Sequence, residues 1–232
     1  GGMREILATE MLEASGVNTS KTFSLFETGE SLHRGDEPSP TRSSVLVRLN
    51  HSHIRIGSFQ RLANLGEDEN LRRLVSYALK HYYGEEAGED GPVRLLRHVV
   101  ARTARLAASF MASGFVHGVL NSDNINISGE SFDYGPWRFA QVFDPGFTAA
   151  YFDEGGLYAF GRQAEAIHWD VVQLAIALSR IADQEALVDA LNRFADLYRE
   201  ALVRRMLWRL GVAPKGGQGA GIHLQRSEEH TS

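Results

Sequence analysis

The chain has no cysteine in 232 residues. That absence excludes a disulfide framework, a cysteine zinc site and a thiol nucleophile. An excess of positive charge is missing too: 24 Lys and Arg stand against 29 Asp and Glu, a net charge of −5. A general nucleic-acid-binding surface is therefore not expected. No apolar run approaches the length needed to span a bilayer, and no signal peptide is visible. These absences point to a cytoplasmic or organelle-matrix setting without a membrane partner. What is present is an ordinary globular balance, 43% hydrophobic and 23% charged, enough for one large domain or two small lobes.

Hydrophobic spacing divides the chain. Met3, Ile6, Leu7 and Met11 recur at helical intervals over residues 3–15, and Gly16 suits a helix C-cap. Residues 22–27 and 44–49 are β-rich, with Gly and Pro punctuation between them, and Ile54 to Phe59 reads as a further short strand. Leu71, Leu74, Val75, Ala78, Leu79 and Tyr82 form an amphipathic stripe that ends in the acidic, Gly-rich linker 84–91. Pro92 suits the first turn of a buried helix running to about Ala112. Short strands are expected near 125–127 and 131–133, irregular structure over 134–162, and two long helices over 163–182 and 184–210. A sheet-bearing front and a helical back predict an α+β fold.

The densest chemistry lies in residues 115–135. His117 stands seven residues before Asn124, and Asp133-Tyr134-Gly135 follows. Protein kinases place H-R-D-x-x-x-x-N ahead of D-F-G in that order. Here the position of the kinase catalytic Asp is Val119, which accepts no proton, while Asp123 stands directly before the Asn. Asn124 and Asp133 offer the oxygen donors that Mg²⁺ prefers, and Asp123 can orient or deprotonate a hydroxyl. The same residues also read as turn formers.

Other residues carry less by themselves. Arg48 and Arg55 have the donor fork that suits phosphate oxygens, though surface arginines are common. Glu5 lies on the first helix, where a kinase glutamate pairs with a strand lysine, yet a lone helix Glu more often faces solvent. His51 and His53 alternate without a third metal ligand, and a structural or nucleotide-pocket role is expected of them. His168-Trp169-Asp170 reads as packing and capping at a helix start, and Arg34-Gly35-Asp36 as a chance tripeptide.

With these residues in place, the chain resembles the selenoprotein O family of kinase-like protein adenylyltransferases. The likeness is carried by His117–Asn124, Phe132-Asp-Tyr-Gly-Pro136, Val47–Gly57 and Arg4–Glu10, and covers nearly all of residues 3–212. It implies transfer of AMP from ATP to Ser, Thr or Tyr hydroxyls of protein substrates, with ATP bound in an orientation reversed from that of kinases. By position, Asp123 resembles the proton acceptor, and Asn124 and Asp133 the ligands of Mg²⁺, or of Mn²⁺ in its place. Arg48 and Arg55 resemble nucleotide-phosphate contacts, and Glu5 the helix partner of the nucleotide-binding Lys.

The resemblance also implies a kinase-like two-lobed fold: a partial N-lobe over 1–60, a mainly helical C-lobe over 61–212 and a flexible tail over 213–225. Residues 226–232, Arg-Ser-Glu-Glu-His-Thr-Ser, match the translation of a common sequencing adapter and read as an artefact. The family's Gly-rich segment and Lys precede the Glu5 helix, and its redox-active C-terminal region lies beyond residue 232. The sequence is therefore expected to be truncated at both ends and inactive alone, with weak or no ATP binding. A phosphotransferase, or a non-catalytic nucleotide-binding pseudokinase or scaffold, is the alternative.

Overall fold

A computed structural model describes residues 1–33, 35 and 39–213. The readings of residues 214–232 lie outside the described residues, as do Arg34 and Asp36 of the Arg-Gly-Asp tripeptide. The chain opens with helix α1, Gly2–Ala14, which ends where Gly16, at φ 70°, lets its own N–H reach Glu13 O and that of Val17 reach Leu12 O. Four- and six-residue closures of this kind satisfy carbonyls the helix leaves orphaned. The face α1 buries is Ala8, Thr9 and Leu12, whereas Met3, Leu7 and Met11 of the anticipated apolar stripe are exposed.

Strands β1, Lys21–Leu32, and β2, Thr41–Leu49, pair antiparallel, with Thr22 opposite Arg48 and Phe26 opposite Val45. The expected third strand is absent. Ile54 to Phe59 instead leads into helix α2, Ile56–Asn64, because the buried pair is Ile56 and Phe59, a helical spacing of three. Helix α3, Asp68–Ala78, continues into a π-helical turn, Leu79–Tyr83, which Gly84 ends at φ 69°.

Helix α4, Gly91–Ser113, is the centre of the molecule. Pro92 occupies its first turn and Gly114 closes it in a left-handed conformation. Its buried residues run around most of the circumference, from Leu95 and Leu96 to Val99, Val100, Ala104, Ala107 and Phe110. Besides α3, it is packed by α5, Gln163–Leu178, α6, Gln184–Asn192, and α7, Phe194–Arg209. The single helix expected over 184–210 is thus two. The chain turns at Arg193, and this lets α6 and α7 each dock on α4 while Phe194 buries its ring against His168, 4.8 Å between centroids.

The loop after α4 carries β3, Phe115–Val116, paired with β4, Arg138–Phe139. The strands anticipated at 125–127 and 131–133 reduce to single bridging pairs, Ile125 with Ser131, Arg55 with Asn126 and Thr19 with Ser131. The tight turn between Asn126 and Glu130 leaves no room for a longer ladder: Asn126 N–H donates to Glu130 O at 2.9 Å and Gly129 N–H to Asn126 O at 2.9 Å. Residues 134–162 are irregular as read, apart from β4 and the 3₁₀ turn Phe160–Arg162. The architecture is α+β, about helices around α4 with two small two-stranded sheets. Among the described residues no helix is long and apolar enough to cross a membrane.

Candidate active site

Three elements meet at Asp133. Arg48 comes from the end of β2, Arg55 is the N-cap residue of α2, and Asp133 sits on the loop after the Asn126–Glu130 turn. Arg48 Nη1 donates to Asp133 Oδ1 at 3.0 Å, and Arg55 Nη2 lies 3.3 Å from Oδ2, one guanidinium for each carboxylate oxygen. Both guanidiniums also lie over the buried Phe132 ring, each 4.6 Å from its centroid. Apolar backing of this kind strengthens a charge pair by removing competing water. Asp133 has φ 59°, alone among the described non-glycine residues in being positive. Asp tolerates that region at a cost of roughly 1–2 kcal/mol, which the two arginines offset.

Glu5 completes the cluster, its Oε2 3.8 Å from Arg48 Nη1. It is no solvated helix residue: its side chain is 14% exposed. Burial raises its pKa to about 7, against the pull of Arg48 and with a push from Asp133. The ion pair and the raised pKa are consistent, because Arg48 makes its shorter contact to Asp133 and only partly compensates Glu5 for lost water.

His117 ties the two loops together. Wholly buried, it is pushed down to about 4 and stays neutral. Its Nε2–H donates to Phe132 O at 3.0 Å while Nδ1 accepts Val119 N–H at 3.3 Å. The Val119 carbonyl in turn accepts Asn124 Nδ2–H at 2.8 Å. Val119, apolar at the kinase base position, thereby orients Asn124 through its backbone and leaves the amide Oδ1 for another partner. A 3.4 Å hydrogen bond from Phe132 N–H to Asn124 O sets the Asn124 and Asp133 segments side by side. One amide oxygen and one carboxylate suit Mg²⁺, which usually completes its shell with substrate phosphates and water. Among the described residues no group of three or more His, Cys, Asp or Glu gathers as a metal cage.

Asp123 is exposed on the loop before Asn124. Its N–H donates to Asn121 Oδ1 at 3.0 Å, an Asx turn that fixes the loop's tip. Its Oδ1 rests against Gly57 in the first turn of α2, where any Cβ collides with it. The positive end of α2 therefore faces the Asp123 carboxylate. So the structure brings Glu5, Arg48, Arg55 and Asp133 into direct contact, and ties Asn124 and Asp123 to them through backbone bonds.

Two residues of the site escaped the sequence reading. Gly57 carries no motif, and its role follows only from what stands opposite it. Asp170 reads in the sequence as packing and capping at a helix start, yet α5 begins at Gln163, so Asp170 lies two turns inside it. It is 4% exposed, and its Oδ2 has no hydrogen-bond partner. Burial, then the charge of Asp123, raises its pKa from 3.8 to about 8. No sequence signal could have found it, since a sequence does not display burial. Of the flanking residues, His168 packs as expected, Trp169 is exposed, and His51 pairs through Nδ1 with the buried Glu130.

Two measurements follow from this geometry. In Gly57→Ala the colliding atom is a flexible side-chain tip, so the melting temperature is expected to stay near that of the parent while Asp123 moves; side-chain carboxyl ¹³C shifts report this, and an unmoved Asp123 signal contradicts it. Asp170 keeps its proton in the native state and loses it when unfolded, so its contribution is full below about pH 4 and declines as pH rises towards 8. Asp170→Asn is expected to raise the melting temperature more at pH 8 than at pH 5, followed by circular dichroism. An equal effect at both values contradicts the assignment.

Residues 1–230 match the family described as protein adenylyltransferase SelO. A protein nucleotidyltransferase YdiU of Synechocystis sp. is 44% identical over 217 residues, covering 92% of this chain and 46% of that protein. The protein of the same name from Gloeobacter violaceus is 46% identical, with 93% and 45% covered. That from Azotobacter vinelandii is 38% identical, with 90% and 42% covered. The chain thus spans a little under half the length of these curated relatives. With the family match running along nearly the whole sequence and relatives at 38 to 46% identity, the chain belongs to the SelO family of protein adenylyltransferases.

Proposed function

We propose that this chain carries the nucleotide- and metal-handling face of a protein adenylyltransferase, moving AMP from ATP to Ser, Thr or Tyr hydroxyls of protein substrates. The observation that supports it most is the pair Arg48–Asp133–Arg55, with Asp123 and Asn124 on the adjoining loop. The arginines hold Asp133 in a fixed geometry. The guanidiniums would bind the oxygens of the nucleotide phosphates, and Asp133 and Asn124 Oδ1 are the residues that would hold the metal ion. Bound Mg²⁺, or Mn²⁺, supplies charge against the phosphate oxygens. Arg48 and Arg55 do the same from the protein side, where charge stabilisation matters more than a strong base. Asp123 receives the proton of the attacking hydroxyl, Glu5 keeps Arg48 aimed, and pyrophosphate leaves.

The wider frame we propose is the kinase-like one. Residues 1–60, with α1 and the β1–β2 pair, form part of an N-lobe, and residues 61–212 a helical C-lobe. The arrangement favours this because the site lies where β2 and the start of α2 meet the loop that follows α4. The bacterial relatives favour a bacterial cytoplasmic setting.

The test is incubation of the complete gene product with acceptor protein and ATP labelled at the α- or the γ-phosphate. Label is expected on protein from α-labelled ATP alone and is expected to vanish in Asp133→Ala. Label from γ-labelled ATP alone means phosphotransfer, and full activity of Asp133→Ala refutes the metal assignment.

A further inference from the structure

Asp123 projects from an exposed loop, and a group that takes a proton from a hydroxyl has to be held to within a fraction of an ångström. Its own loop supplies the Asx turn, a 2.9 Å bond from Asn124 N–H to Asn121 O and the Asn124 side-chain bond to Val119 O. The outside support comes from two packed helices, α2 and α5, each presenting residues three apart and hence on one face. On α2 these are Gly57 and Gln60; on α5 they are Asp170 and Gln173.

The contacts form a continuous chain. Ser122 Oγ donates to Gln60 Oε1 at 2.5 Å, and Gln60 Nε2 donates to Gln173 Oε1 at 3.4 Å. The Gly57 N–H donates to Ser122 O at 3.0 Å and the Ile56 N–H to Ile125 O at 3.2 Å, so the first turn of α2 is stitched to the loop on both sides of Asp123. Asp170, one turn before Gln173, feels the Asp123 charge from below. Gln60 is hydrogen-bonded to both the loop, through Ser122, and α5, through Gln173. Its carboxamide suits that place: the oxygen accepts from one side while the nitrogen donates to the other.

We propose that Gln60 is a positioning residue of the transfer reaction, its amide clamped between Ser122 and Gln173 so that Asp123 meets the acceptor hydroxyl. This rests on the reading of Asp123 as proton acceptor given above. It assigns no substrate contact to Gln60. Arg48 and Asp133 lie outside this floor, and Arg55, though it caps α2, turns its guanidinium to Asp133, so loss of the clamp acts on turnover more than on nucleotide binding.

The experiment uses the complete gene product, with Gln60→Met, which keeps the length and removes the amide, Ser122→Ala, and the double variant. In Gln60→Met and in Ser122→Ala, kcat is expected to fall about tenfold or more, with the KM for ATP and the melting temperature near wild type. The double variant is expected to fall no further than either single one, because both break the same contact. Wild-type kcat in Gln60→Met overturns the proposal. So do losses that multiply in the double variant, or a loss matched by a falling melting temperature. A wild-type protein that labels no acceptor from α-labelled ATP refutes the transfer reading instead. An active wild type silenced by Asp133→Ala upholds that reading, and the Gln60 result then judges the clamp alone.

Discussion

The site depends on one carboxylate gripped by two guanidiniums. Asp133 adopts a left-handed backbone that its neighbours do not share, and it stays there because Arg48 and Arg55 each hold one of its oxygens. Phe132 underneath is buried and fixes both arginines from their flat faces. Each partner comes from a different part of the chain. The end of β2, the start of α2 and the loop after α4 are therefore locked in register by a single ionic knot. Take away either arginine and the strained residue loses the contact that compensates its backbone.

Around the knot, burial and charge pull in opposite directions, and which one wins differs by residue. At Glu5 burial outweighs Arg48, and the carboxyl is raised to about 7. At Asp170 burial acts with the like charge of Asp123, and the rise is larger, to about 8. At His117 burial alone is decisive, keeping the ring neutral at about 4 so that it donates through Nε2 and accepts through Nδ1. Two acids inclined to keep a proton and a histidine inclined to refuse one leave the described site little net charge. A site of little net charge suits the proposed role, in which a nucleotide and its metal bring charge in.

Much of this was legible in the residues and some was not. Helix α4 could be read because Pro92, an apolar circumference and Gly114 mark its start, burial and end. The family resemblance named Arg48, Arg55, Asp133 and Glu5 one by one, but not their contact with one another. Composition and periodicity left them among ordinary surface charges, since a guanidinium's partner is set by tertiary contact. Ile54–Phe59 misled because alternating Ile54 and Ile56 imitates a strand, whereas burial falls on Ile56 and Phe59. The long C-terminal helix misled because a turn at Arg193 costs little locally and is imposed by two-sided docking on α4. Gly57, Gln60 and Asp170 were silent, for their meaning lies in what faces them.

On the function proposed above, Arg48 and Arg55 exchange Asp133 for the phosphates of a metal-bound nucleotide. Calorimetric titration of the complete gene product with ATP, with and without Mg²⁺, tests it directly against the variant carrying both Arg48→Met and Arg55→Met. Mg²⁺-dependent binding is predicted in the parent, weakened at least tenfold, or about 1.4 kcal/mol, in the variant. Equal affinity in the two proteins, or binding indifferent to Mg²⁺, would contradict the account.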